Sequence, residues 1–229
     1  MFMKFLGFVT VVLAVGVGFL FQHDPLLFGK RTGKSHDGYT IYKHYPQLDD
    51  ELFTVSSSVG KEFTAYRNHC LRVLTFTKYF LPDSVTKEIP NAMDLAASAL
   101  AYHDVGLWTD KKLDYLEPSK IQLDKALGSA YSPKEIKVME EIILQHHKWS
   151  DYTDLSSAEN DLINAVRKAD WADASIGVIR FDLPAPLLEA AYDQLPEAGF
   201  HQILLDVLVR LSAGNLLKGA MEFAKIFKW

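Results

Sequence analysis

Leu95-Ala-Ala-Ser-Ala-Leu-Ala-Tyr-His-Asp-Val-Gly106 is the stretch that decides the fold. Up to Tyr102 it is apolar apart from Ser98 and rich in alanine, which predicts a helix packed closely on several sides. It then sets His103 and Asp104 side by side. Burying an imidazole beside a carboxylate costs free energy unless each is paired or coordinates something, and a divalent cation satisfies both at once. Neighbours on a helix diverge by about 100°, so the two can share one ion only beside the helix end. The Val105-Gly106 pair permits that end, and the doublet calls for partners elsewhere in the chain.

Helical spacing continues on both sides of it. Residues 61–80 carry Tyr66, Cys70, Val73, Leu74 and Phe80 at three- and four-residue intervals, and Leu81-Pro-Asp83 stops that helix. Ser132-Pro-Lys-Glu135 is a capping box with proline at the first helical position, launching a helix to about His147. Ser156-Ser-Ala-Glu159 launches another to about Ser175, and further helices are expected over 185–193, 198–212 and 214–228. Residues 25–60 read as a lead-in, rich in Gly, Asp, Ser, Lys and Tyr, with one brief strand-like run, Tyr39-Thr-Ile-Tyr-Lys-His44. No two strands can be placed, so the expected fold is all-α, with the catalytic domain over residues 61–229.

Four polar side chains emerge at structured positions: His69, His103, Asp104 and Asp170. Two imidazoles and two carboxylates make a mixed nitrogen and oxygen donor set that leaves coordination positions for water. That is the composition of a hydrolytic Zn, Mn, Fe or Mg centre rather than a sealed structural one. The order His, then His-Asp, then Asp resembles the HD-domain superfamily of metal-dependent phosphohydrolases. Tyr66-Arg-Asn-His-Cys-Leu-Arg-Val73 is similar to that family's first helix, Tyr102-His-Asp-Val-Gly106 to its defining doublet, and Arg167-Lys-Ala-Asp170 to its last ligand. The resemblance spans roughly residues 60–180. It implies a bundle of five or more helices around one divalent ion held by His69, His103, Asp104 and Asp170.

Around these ligands, Arg72 lies one turn beyond His69, where a guanidinium either clamps a substrate phosphate or pairs with a nearby carboxylate. Arg167 precedes Asp170 by three residues and is placed to orient it. Gln145-His-His-Lys148 ends a helix whose buried stripe is Ile136, Met139, Ile142 and Ile143. Adjacent helical histidines diverge, so at most one of His146 and His147 is expected as a direct ligand. One acts as proton donor or phosphate contact, or binds a second metal, as extra histidines do in parts of the superfamily. Lys148 either contacts substrate or complements the helix dipole. Asp110, Asp114 and Tyr115 fall in an expected loop close behind the doublet, the two aspartates as candidate water-positioning carboxylates. Trp108 and Trp171 wall the pocket or fill core. Asp173, one turn past Asp170, is placed to accept a bond from a ligand or from Arg167, or to face solvent.

Twenty-nine acidic against 24 basic residues give a net charge of -5, which excludes a dedicated nucleic-acid binder but not a small anionic substrate. Cys70 is the one cysteine, so neither an intrachain disulfide nor a thiolate cluster can form. Residues 5–21 carry no charge, and as a helix they would reach about 26 Å, close to the hydrocarbon thickness. With no small-x-small cleavage site before Asp24, residues 1–24 read as a retained single-pass membrane anchor rather than a signal peptide. Lys30, Arg31 and Lys34 outnumber Lys4 plus the amino terminus, which favours a cytoplasmic domain over an exported one. The expected activity is therefore hydrolysis of a nucleotide or other small phosphoester by a metal-activated water. Two alternatives remain: an HD-type hydratase of a small nitrile, similar to cyanamide hydratase, and a non-enzymatic membrane-tethered signalling module.

Overall fold

The computed structural model describes residues 38–112 and 114–211. Ten α-helices run in order through these residues, and no strand occurs among them. They are α1 (Pro46–Val59), α2 (Phe63–Phe80), α3 (Asp83–Glu88), α4 (Ala92–Tyr102) and α5 (Gly106–Thr109), then α6 (Leu116–Leu127), α7 (Pro133–Gln145), α8 (Ser157–Ala174), α9 (Ala185–Gln194) and α10 (Phe200–Leu211). A single 3-10 turn, Gly60–Glu62, joins α1 to α2.

The core is built on α2 and α8, each 18 residues long and packed against the other. Positions 69–77 of α2 are all buried, so this helix is enclosed rather than amphipathic. On its other side lies α4, itself packed on α1 and α7. Ala92, Ala96, Ala97, Ala99 and Ala101 are all buried, and their small side chains let neighbouring helices approach α4 from several directions. Both capping boxes form: Ser132 accepts from the Glu135 amide while Glu135 accepts from Ser132, and Ser156 and Glu159 do the same for α8.

Three sequence expectations change. The run 39–44 is not a strand: the Tyr42 amide donates to Thr75 Oγ1 at 3.1 Å, and Ile41, Tyr42 and Tyr45 pack on the core. Residues 46–59, expected as tether, form α1, whose Leu48, Leu52, Val55 and Val59 are buried, so the packed unit begins ahead of residue 61. The polar runs Asp49-Asp-Glu51 and Ser56-Ser-Ser58 mask that four-three-four stripe. Finally, the expected loop 107–119 contains α5 and the start of α6, and Gly106 opens α5 rather than closing α4. A Cβ there would stand 2.4 Å from the Tyr115 carbonyl oxygen, so Gly106 is what lets α6 close over the doublet.

The proposed anchor at residues 5–21 and the expected helix over 214–228 lie outside the described residues. Among those described, no helix is long and apolar enough to cross a membrane.

Candidate metal centre

Two helix ends meet at the centre. His103 is the C-terminal cap of α4, with φ -58° and ψ -33°, and its Nδ1–H donates to the Leu100 carbonyl at 2.7 Å. His146 is the cap of α7, with φ -60° and ψ -23°, and its Nδ1–H donates to the Ile143 carbonyl, also at 2.7 Å. Each ring is thus pinned by the carbonyl three residues earlier, a helix-terminal acceptor with no amide of its own. The same bond fixes the tautomer and leaves Nε2 as a lone pair aimed inward. From α2, His69 makes the third such ring, donating Nδ1–H to Asp173 Oδ2 at 2.7 Å.

The inward atoms converge. His69 Nε2 and His103 Nε2 stand 3.1 Å apart, and Asp104 Oδ2 lies 3.2 Å from His103 Nε2 and 3.9 Å from His69 Nε2. From α8, Asp170 Oδ1 lies 3.4 Å from His69 Nε2 and 3.7 Å from His103 Nε2. Metal–ligand bonds of about 2.0–2.2 Å put neighbouring donors on one ion about 3–3.5 Å apart; the 3.1, 3.2 and 3.4 Å spacings fall in that range, and those of 3.7 and 3.9 Å are wider. His69, His103, Asp104 and Asp170 are all buried.

Asp104 looks both ways. Its Oδ1 lies 3.6 Å from His146 Nε2, and Asp104, His146 and His147 each offer a donor atom within 4.8 Å of the other two. Both adjacent histidines thus offer a donor atom to one group, although the sequence spacing leads one to expect at most one of them as a direct ligand. Because α7 ends at Gln145, His147 already lies in the following turn, and the 100° divergence of a helix does not apply to the pair. Tyr115 completes this side, its hydroxyl 2.5 Å from His147 Nε2.

Protonation follows the placement of the carboxylates. Burial pushes the His103 imidazole down, but the Asp104 charge and the bond to Asp170 more than offset it and hold the ring well above its ordinary value. His69 is raised by Asp170 and Asp173 against the same burial. On the other side, burial and the neighbouring His147 push His146 down to about 3, and burial takes His147 to about 4. Asp170 is held well below the carboxylate range because the two imidazoles outweigh its burial. Burial and the charges of Asp104 and Asp170 keep the Tyr115 phenol protonated.

Two observations test the donors against a metal. His146 Nε2 is buried with no hydrogen-bond partner, a costly arrangement for a polar atom that a cation relieves. With Nδ1–H committed in both rings, neutral His69 and His103 aim lone pairs at each other across 3.1 Å, which requires a proton or a cation between them. These buried histidines and aspartates can hold a metal ion, and their arrangement is compatible with an HD-type site.

The remaining candidates divide. Arg72 is fully buried and spent: Nε and Nη2 donate to the two oxygens of Asp173 at 2.6 and 2.8 Å, and Nη1 to the Leu195 carbonyl at 3.0 Å. The ion-pair reading of Arg72 holds, and the phosphate clamp is withdrawn. Arg167 does not orient Asp170; it donates to the carbonyls of Lys148 and Trp149, each at 3.1 Å, and to Asp151, holding the turn after α7 against α8. Lys148 sits half-buried in that turn. Asp110 and Asp114 are exposed, and Asp110 accepts from the neighbouring Thr109 hydroxyl. Trp108 donates to Glu62 at 2.6 Å and packs on Tyr66, while Trp171 is buried with Leu107, Tyr115 and Leu116. Cys70 is buried against the Leu100 carbonyl. Asp173, for which solvent exposure was an open reading, is completely buried under His69. One signal for it existed in the sequence: Arg72 and Asp173 each lie three residues past a candidate ligand, so both point into the layer behind the centre. Compared with protein-family models, with curated proteins and with solved structures, the chain matches none of them.

Proposed function

We propose that the chain is a metal-dependent hydrolase whose leading reaction is phosphoester hydrolysis. The reading rests on one observation above others: three imidazoles with fixed tautomers and two carboxylates, brought in from α2, α4, α7 and α8, line two adjoining buried donor groups that share Asp104. His69, His103, Asp104 and Asp170 would hold the first ion, whether Zn, Mn, Fe or Mg, and Asp104 with His146 and His147 a second. A divalent ion supplies Lewis acidity and lowers the pKa of bound water toward neutrality. Where only the first ion is held, Asp104 Oδ1, turned toward His146, would accept the proton given up by the attacking water. In place of a second ion, the Tyr115–His147 pair would return a proton to the leaving oxygen, and Lys148 would balance charge on the phosphate. Tyr115 supplies a neutral O–H donor at the same edge. Residues 5–21 would tether this activity to a membrane, its domain on the cytoplasmic side.

A second reading, hydration of a small uncharged substrate such as a nitrile, is favoured by the commitment of Arg72 and Arg167 to protein acceptors. Neither guanidinium is left to receive a phosphate.

Both readings are tested together. The purified chain is analysed for metal and assayed, before and after chelation, on nucleotides, simple phosphate esters and cyanamide. About one ion or more per chain and metal-restored phosphate release support the first reading, and cyanamide turnover alone replaces it with the second. Phosphoester hydrolysis that persists without metal overturns both.

A further inference from the structure

Asp173 is bonded through both its carboxylate and its carbonyl. Its carboxylate receives His69 Nδ1–H at 2.7 Å and the Arg72 Nε and Nη2 donors at 2.6 and 2.8 Å. Its carbonyl receives the Ile176 amide at 2.9 Å and the Tyr192 hydroxyl at 3.0 Å, with His201 Nε2 at 3.1 Å. The donors come from α2, from α9 and α10, and from the turn after α8. Arg72 extends the connection, since Nη1 reaches the carbonyls of Leu195 and Pro196 at 3.0 and 3.3 Å and its guanidinium lies 4.4 Å over the Tyr192 ring. Asn68 donates to the same Pro196 carbonyl at 2.8 Å, and the Phe200 ring stacks on His69 at 4.0 Å. The segment from α9 into α10 is therefore fastened to the back of one candidate ligand, through residues that are not ligands themselves.

We infer that Asp173 and Arg72 are positioning residues that lock His69 in its ligating tautomer and couple metal affinity to the docking of α9 and α10. The inference rests on the reading of His69 as a metal ligand. Asp173 accepts at Nδ1 and so leaves Nε2 as the donor atom, the outer-sphere carboxylate arrangement that raises ligand basicity. Arg72 prevents Asp173 from turning away, because its fork holds both carboxylate oxygens. Coupling of this kind is reciprocal: docked α9 and α10 tighten metal binding, and bound metal tightens their docking.

The test is made on the full-length chain, stripped and then titrated with Zn²⁺ against a chromophoric chelator. Asp173→Asn is expected to weaken Zn²⁺ binding about 10- to 100-fold, and Arg72→Lys by a smaller factor. Tyr192→Phe keeps the ring under Arg72 and removes only the hydroxyl, so it decides the matter if the buried variants do not fold. It is expected to weaken Zn²⁺ binding by less than about tenfold, the lower end of that range. Hydrogen exchange supplies the reciprocal readout, with Zn²⁺ slowing the amides of 185–204 in the native chain and less so in Tyr192→Phe. A lowered melting temperature with unchanged Zn²⁺ affinity and unchanged zinc-dependent protection overturns the inference. Native protein that binds no Zn²⁺ at all overturns the metal-centre reading beneath it.

Discussion

The ends of α4 and α7 are built alike and behave oppositely. Each helix stops on a histidine, each histidine donates Nδ1–H to the carbonyl three residues back at 2.7 Å, and each is followed by a second metal-capable side chain. The difference lies in what surrounds them. His103 meets Asp104 and Asp170, whereas His146 meets His147 and shares a single oxygen of Asp104. One device of backbone geometry therefore yields a ring held above its ordinary value at α4 and one pushed down to about 3 at α7. Carboxylate count, not helix geometry, ranks the two ends as metal sites, and the α4 end should fill first.

The strongest way to break this comparison is to remove the residue that both ends share. Asp104→Ala takes a donor from each group, and metal content should fall from about one ion per chain to below about a tenth, with catalysis lost. Elemental analysis decides it, and a variant that keeps its full metal complement removes Asp104 from the centre. His146→Ala should be milder, keeping the first ion and losing the weaker one. Activity then falls only as far as the second ion contributes, which metal stoichiometry alongside turnover will show.

Acidity sharpens the contrast because the two ends contribute with opposite sign in the chelated protein. His146 and His147, at about 3 and 4, stay neutral in the fold, while in the unfolded chain they titrate near 6.5. The unfolded state therefore binds more protons between those values, and acid removes stability through that window. His103 does the reverse: the fold holds its proton above 6.5, so its contribution is complete below that value and is lost as the pH rises through its raised value. NMR titration of the ring protons should show His146 neutral at pH 5 where His103 is charged. Indistinguishable titrations would end the claim that carboxylates divide the two ends.

Much of this could be read from the sequence, for identifiable reasons. Ser132 and Glu135, and Ser156 and Glu159, encode their helix starts locally, since the bonds they make span three residues. The His103-Asp104 doublet stands out because polar groups inside an apolar run need partners. Asp173 was ambiguous because its role depends on Arg72, 101 residues away, and nothing local separates a buried carboxylate from an exposed one. The fate of Arg72 was undecided for the same reason. Helix α1 was missed because its four buried residues sit among acidic and serine runs that dominate any short window. The placement of His146 and His147 depended on the helix boundary, where a shift of one or two residues changes a divergent pair into a convergent one.

The segments just beyond the two helix ends are also held differently. After α4 the chain turns into α5 under a close backbone approach, and Gly106→Ala would press a methyl group onto the Tyr115 carbonyl at 2.4 Å. Overpacking of this kind costs about 1–3 kcal/mol, and it should also move the Tyr115 hydroxyl away from His147, so thermal melts and metal stoichiometry should change together.

After α7 the turn is held instead by Arg167, whose bonds to the Lys148 and Trp149 carbonyls are sheltered while its partner Asp151 is two-thirds exposed, at 66%. An exposed carboxylate is screened by water, so Asp151→Ala should cost under about 1 kcal/mol and leave metal content intact. The two carbonyl bonds keep Arg167 in place without it. A loss of several kcal/mol, or of the second ion, would mean that the charge pair rather than the carbonyl contacts fixes this turn. The α7 end would then depend on surface electrostatics, as the α4 end does not.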